Sequence, residues 1–87
     1  MVALIDFQIG QIVFSKQGRD KGMPFVVLKV EGEYLYLANG KCRLLIKPKK
    51  KKIKHVQPTN TVNEAVAKGE RLLDCDLRKA VAEFERI

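Results

Sequence analysis

Six lysines fall within the eight positions from Lys47 to Lys54, in the order Lys-Pro-Lys-Lys-Lys-Lys-Ile-Lys, and His55 follows directly. Like charges this close repel one another, and no carboxylate stands near them in sequence, so the segment is costly without a polyanion. The chemistry that Lys47, Lys49, Lys50, Lys51, Lys52 and Lys54 offer is phosphate neutralisation. If about six basic groups of the protein each meet one phosphate, binding falls with salt on a logarithmic slope near −4 for single-stranded RNA and near −5 for a B-form duplex. The plain alternative is a solvated lysine tether with no dedicated ligand.

A second cationic group lies upstream. Gly18-Arg19-Asp20-Lys21-Gly22 is a charged loop between two apolar runs, with Lys16 at its base. Gly18 and Gly22 tolerate positive φ, so the segment reads as a hairpin whose tip, with Arg19 and Lys21, faces water. Asp20 is the acid in that loop, and its expected task is to shape the turn by a local bond from its side chain to the backbone. Arg43 could hold a phosphate with both ends of its guanidinium or stack on a base, or be simply an outward-facing strand residue. Tyr34 and Tyr36 share one strand face and could stack bases, or serve as packing. His55 could stack or donate to phosphate.

Catalysis needs more than this. The chain has one histidine, one serine (Ser15), no Cys-x-x-Cys and no phosphate loop with Gly-Lys-Ser/Thr. No nucleophile has a base at a recognisable spacing, and Cys42 and Cys75 have no second cysteine or histidine at metal-ligand spacing. The expectation is a non-catalytic protein without a metal or other cofactor, with reduced thiols.

The elements that must position these residues are mostly strands. Gln11 to Lys16 and Phe25 to Val30 are rich in β-formers, and Pro24 suits the position just before a strand. Glu31-Gly32-Glu33 is a turn, and Tyr34 to Ala38 is a third strand. Asn39-Gly40 signals a type I′ hairpin, which would send Lys41 to Ile46 back as a fourth strand. Ile53 to Gln57 is a fifth, short strand. Runs such as Phe25-Val26-Val27-Leu28 do not alternate with polar residues, which implies that both faces of the sheet are covered.

The tail can cover one of them. Pro58-Thr59-Asn60 is expected to break the sheet, Thr61-Val62-Asn63-Glu64 has the form of a capping box opening a short helix, and Gly69 is placed to end it. Asp74 can cap a second helix from about Cys75 to Arg86. In it Leu77, Ala80, Val81 and Phe84 form one apolar stripe, which packs on the chain's own sheet or else docks on another protein or a second copy.

The hairpin resembles the KOW motif, in which a strand, a loop containing Gly-x-x-Lys-Gly and a second strand form part of an SH3-like barrel that contacts RNA or ribosomal components. Gly18, Arg19, Asp20, Lys21 and Gly22 fit the loop, and Ile12, Val13, Val26, Val27 and Val30 fit the strands. The usual further glycine after Lys-Gly is missing, because Met23, Pro24 and Phe25 stand there. The KOW segment, the Asn-Gly pair and the stretch from Arg43 to Gln57 together resemble the large-subunit ribosomal protein family called fourteen-e and its short bacterial relatives, over roughly residues 6 to 57. The resemblance implies ribosomal RNA, or a ribosome-associated role.

Size and charge agree with one small domain. The chain has 87 residues and a formal net charge of +7. Residues 1 to 57 hold 12 Lys/Arg against 4 Asp/Glu, whereas residues 58 to 87 hold 5 against 6, so the whole excess lies on the front portion, as a polyanion-binding face requires. No apolar run approaches the ~20 residues of a membrane span, and the N-terminus has no basic leader, so the expected setting is the cytoplasm. The sequence thus predicts a mainly β protein: a small SH3-like barrel of about five strands over 1–57, then a helical tail over 58–87, monomeric. Its expected partners are RNA and, with it, ribosomal proteins, bound mainly through backbone phosphate with little base specificity. The rival reading is a protein-interaction module for a translation or transcription factor; a third is nonspecific duplex DNA binding.

Overall fold

The computed structural model describes residues 7–68 and 72–85. Its order is β1 (Gln11–Ser15), β2 (Pro24–Glu31), β3 (Tyr34–Ala38), β4 (Lys49–Lys52), a 3-10 turn (Ile53–His55), β5 (Val56–Val62), α1 (Glu64–Lys68) and α2 (Asp74–Glu85). The strands form one antiparallel sheet in the order β4-β3-β2-β1-β5. Its two edges, β4 and β5, are separated in sequence only by the three residues of the 3-10 turn. A sheet whose opposite edges are tied that closely must curl, and the result is barrel-like, in keeping with the expected SH3-like class.

The continuous apolar runs fill two cores. Phe7, Val13, Phe25, Val27, Leu35, Leu37 and Val56 are buried inside the curl. On the outside, Ile12, Val26 and Ala38 pack against Val66 of α1 and Leu77, Ala80 and Val81 of α2, with Phe84 at the margin. Phe84 also meets Phe14, the ring centroids lying 5.5 Å apart. The apolar stripe of α2 is therefore occupied by the chain's own sheet. Among the described residues no helix is long and apolar enough to cross a membrane.

Three expectations are overturned. The fourth strand is Lys49–Lys52, whereas residues 41 to 46 form a loop. Asn39 does not build a two-residue hairpin: its side-chain oxygen accepts from the amides of Lys41 and Arg43, at 3.0 and 3.1 Å. The helix then takes hold of this loop. Leu45 N–H donates to the Asp74 carboxylate at 2.7 Å, and Arg78 donates to the Gly40 carbonyl at 2.7 Å. Gly40, at φ 76°, lies so close to the Asp74 carbonyl and the Arg78 side chain that a Cβ has no room.

Second, Ile53–His55 is a 3-10 turn, so the fifth strand begins at Val56 and not at Ile53, and it runs on through Pro58-Thr59-Asn60 to Val62, continuing the sheet where a break was expected. As an edge strand β5 tolerates a proline, and Gln11 to Thr59 and Thr59 to Ile12 hydrogen bonds of 2.8 and 2.6 Å carry the pairing past the β1 irregularity. The barrel thus extends beyond residue 57. Third, α1 is capped by Asn63, which accepts from Val66 N–H at 3.1 Å, and not by a box opened at Thr61. Asp74 is the first helical residue of α2, while Gly69 and Arg86 lie outside the described residues.

Candidate nucleic-acid interface

Side chains alternate across a strand, so four consecutive lysines in β4 cannot all face water. The register decides which two turn inward: Lys49 lies opposite Leu37 and Lys51 opposite Leu35, both leucines of the inner core. Lys51 is 8% exposed. A buried ammonium requires a counter-charge and an acceptor for each N–H, and the hairpin tip supplies them. Lys51 Nζ donates to Ser15 Oγ at 2.7 Å, to the Gln17 carbonyl at 2.7 Å and to Asp20 Oδ1 at 3.1 Å. Lys49 Nζ donates to Asp20 Oδ2 at 2.6 Å.

Asp20 therefore does not shape its own turn through the backbone. Its carboxylate bridges both inward lysines of β4 and is 2.8 Å from Ser15 Oγ. Burial pushes its pKa up, but the hydrogen bonds from Lys49, Ser15 and Lys51 and the Lys51 charge outweigh this and hold it far below the ordinary 3.8. The turn itself is closed by backbone bonds, Lys21 N–H to the Gly18 carbonyl and Met23 N–H to the Asp20 carbonyl, with Gly18 and Gly22 at φ 89° and 85°.

The clamp fixes the hairpin tip against the inward side of β4, so the two cationic groups of the sequence meet there. Arg19, Arg43 and Lys49 line a common cleft of about 260 Å³, with Asp20, Met23, Phe25 and Cys42. Arg43 reaches it from the loop after β3, not from a strand. Lys16 and His55 adjoin, since Lys16 N–H donates to the His55 carbonyl at 2.8 Å. Lys21 and Lys54 are exposed, and Lys47 is exposed in the loop ahead of β4. Lys52 and Lys54 line a second hollow, of about 440 Å³, beside the β2–β3 turn. Among the described residues, Lys49 and Lys51 are the members of this cationic set that pair with a carboxylate.

The outward lysines, Lys50 and Lys52, take a different course. They face Tyr36 and Tyr34 across the β3–β4 pair on the outer side of the sheet. Lys50 Nζ is 4.6 Å from the Tyr34 ring centroid, and Lys52 Nζ is 5.9 Å from it. The lysine run is thus divided by the pleat into a structural pair and a surface pair. Sequence reasoning treated it as one segment, and the acid that divides it, Asp20, was assigned to shaping its own turn.

His55 sits among this charge. Partial desolvation, then the nearby charges of Lys54, Lys51, Lys52 and Lys16, lower its pKa below the ordinary 6.5. The folded state thus disfavours the imidazolium, so its contribution to stability is present above about pH 6.5 and declines as pH falls through that value. The denaturation midpoint in urea is expected to fall between neutral pH and about pH 5.5, and this part of the dependence is expected to vanish in His55→Gln. As His55 is the chain's single histidine, one imidazole NMR signal follows the titration.

The fold and site together define a small barrel-like β protein whose cationic hairpin tip is stapled to β4 by a partly buried carboxylate. No family model matches the chain, and no curated protein matches it. Among the described residues no three His, Cys, Asp or Glu side chains are grouped to hold a metal ion. Cys42 and Cys75 are free thiols.

Proposed function

We propose that this chain is a non-catalytic RNA-binding protein, which grips folded RNA by its phosphates through the hairpin tip, the Arg19–Arg43 cleft and the exposed lysines around β4. The observation that carries the reading is the Asp20 clamp: a partly buried carboxylate that holds two cationic segments, remote in sequence, against each other. Arg19 and Arg43 present planar forks suited to phosphate, and the lysines add point charges that track a backbone without reading bases. The KOW-like hairpin favours ribosomal RNA as the target, met in the cytoplasm alongside ribosomal proteins. The protein-docking rival is weakened because the α2 stripe is already covered by the sheet.

Sedimentation with ribosomal subunits at low and high salt tests the target, and competition between a folded RNA and duplex DNA at one salt concentration tests the class. Co-migration at low salt that is lost at high salt is expected, with a logarithmic salt slope near −4 for about six contacts to single-stranded segments. Failure to bind RNA of any kind at low salt would end the proposal.

A further inference from the structure

The α helices cover Ile12, Val26 and Ala38 on the outer face of the sheet and leave Tyr34 and Tyr36, on that same face, outside the apolar core. Both rings are half-buried, and they are bordered by lysines. Lys50 lies over both, 4.6 Å from the Tyr34 centroid and 5.9 Å from that of Tyr36; Lys29 of β2 lies 5.5 Å from Tyr36. Glu31, opposite Tyr34 in β2, is the acid of this grid and pairs with Lys29 at 3.2 Å. Two aromatic faces interleaved with ammonium groups are the two ingredients of a single-strand platform, one stacking on bases and the other meeting phosphates.

Accordingly, we infer that the outer face of β3 and β4 binds unpaired nucleotides of RNA, one base stacked on Tyr34 and the next on Tyr36, with their phosphates on Lys50, Lys52 and Lys29. This rests on the RNA-binding reading and adds a second contact surface to it. Tyrosines two residues apart on an antiparallel strand lie about 6.8 Å apart, twice the rise of about 3.4 Å per base along a duplex strand. Bases seated one per ring must be drawn out of their own stack, which a duplex cannot do without losing its pairing. An exposed ammonium resting on a half-buried ring is held weakly, so an incoming base displaces it, and the released lysine meets the phosphate that the same nucleotide brings.

The chain has two tyrosines and no tryptophan, so its tyrosine signals report on this face alone. Addition of a 12-mer oligouridylate is expected to move the Tyr34 and Tyr36 ring-proton NMR signals upfield and quench tyrosine fluorescence, whereas inorganic polyphosphate, which supplies charge without bases, does neither. Tyr34→Ser/Tyr36→Ser is expected to bind the oligouridylate at least tenfold more weakly. Its affinity for a 12-base-pair RNA duplex should stay within about twofold, which also shows that the variant is folded, and Tyr34→Phe/Tyr36→Phe should bind both as the natural chain does. Oligouridylate binding without ring-proton displacement would overturn the inference and leave phosphate binding standing. Failure of both RNAs and polyphosphate to bind the natural chain would remove the two together.

Discussion

Asp20→Asn is expected to destabilise the fold by about 3 kcal/mol, a large share of what a domain this small possesses. The amide is nearly the same size and keeps a hydrogen-bonding oxygen, so packing is unchanged and the loss is electrostatic. It leaves Lys51, 8% exposed, charged and without a counter-ion, and it leaves Lys49 with none either. Removing the stranded charge should repair part of the damage, Lys49 still lacking its partner. Lys51→Met alone is expected to cost about 1 kcal/mol, because Asp20 retains Lys49 and Ser15 as partners, and Asp20→Asn/Lys51→Met should be about 2 kcal/mol more stable than the two losses added together. Urea denaturation of the four proteins measures this coupling; strict additivity would mean that the ion pair is not what holds the tip. Acid should act as the substitution does. Since the folded state lowers the Asp20 pKa, the contribution is intact above the ordinary 3.8 and is lost as pH falls below it.

The dependence on one carboxylate explains what was legible in the chain and what was not. Strands β1 to β3 are readable because Ile12-Val13, Phe25-Val26-Val27 and Tyr34 to Leu37 are β-formers, and their unbroken apolar character correctly implies a sheet covered on both faces. β4 is illegible for a physical reason: lysines are poor strand residues, and Leu44-Leu45-Ile46 next to Asn39-Gly40 offers a better local candidate. That candidate fails because Asp74 and Arg78 bind the loop from α2, contacts across 29 and 38 residues that no local pattern contains. Residues 49 to 52 then pair with β3 because Tyr34 and Tyr36 accept lysine ammoniums on one side and Asp20 accepts them on the other. Of the site, the residue types and their segregation by charge were readable. The separate tasks of neighbouring lysines were not, since they depend on register, and register is a property of the paired strand.

The same division predicts how the affinity should be distributed. Lys50→Gln/Lys52→Gln/Lys54→Gln removes three outward ammoniums and is expected to weaken binding to single-stranded RNA roughly a hundredfold near 0.1 M salt, since each phosphate contact carries a slope of about 0.7 in the logarithm. The salt slope itself should fall by about 2, from near −4 to near −2. Stability should change by no more than about 1 kcal/mol, the worth of the exposed contacts with Tyr34 and Tyr36. The inward pair should give the opposite pattern. Lys49→Gln/Lys51→Gln leaves the partly buried Asp20 without a cation, so stability falls by about 2 kcal/mol, while at a temperature where the variant remains folded its salt slope should shift by less than about 0.7, because these ammoniums are already neutralised within the protein. Salt titration of both variants by fluorescence anisotropy, beside urea denaturation, separates the two. If both sets cut the slope equally, the lysines from 49 to 54 act as one undivided phosphate-binding strip, and the carboxylate of Asp20 gives way to RNA.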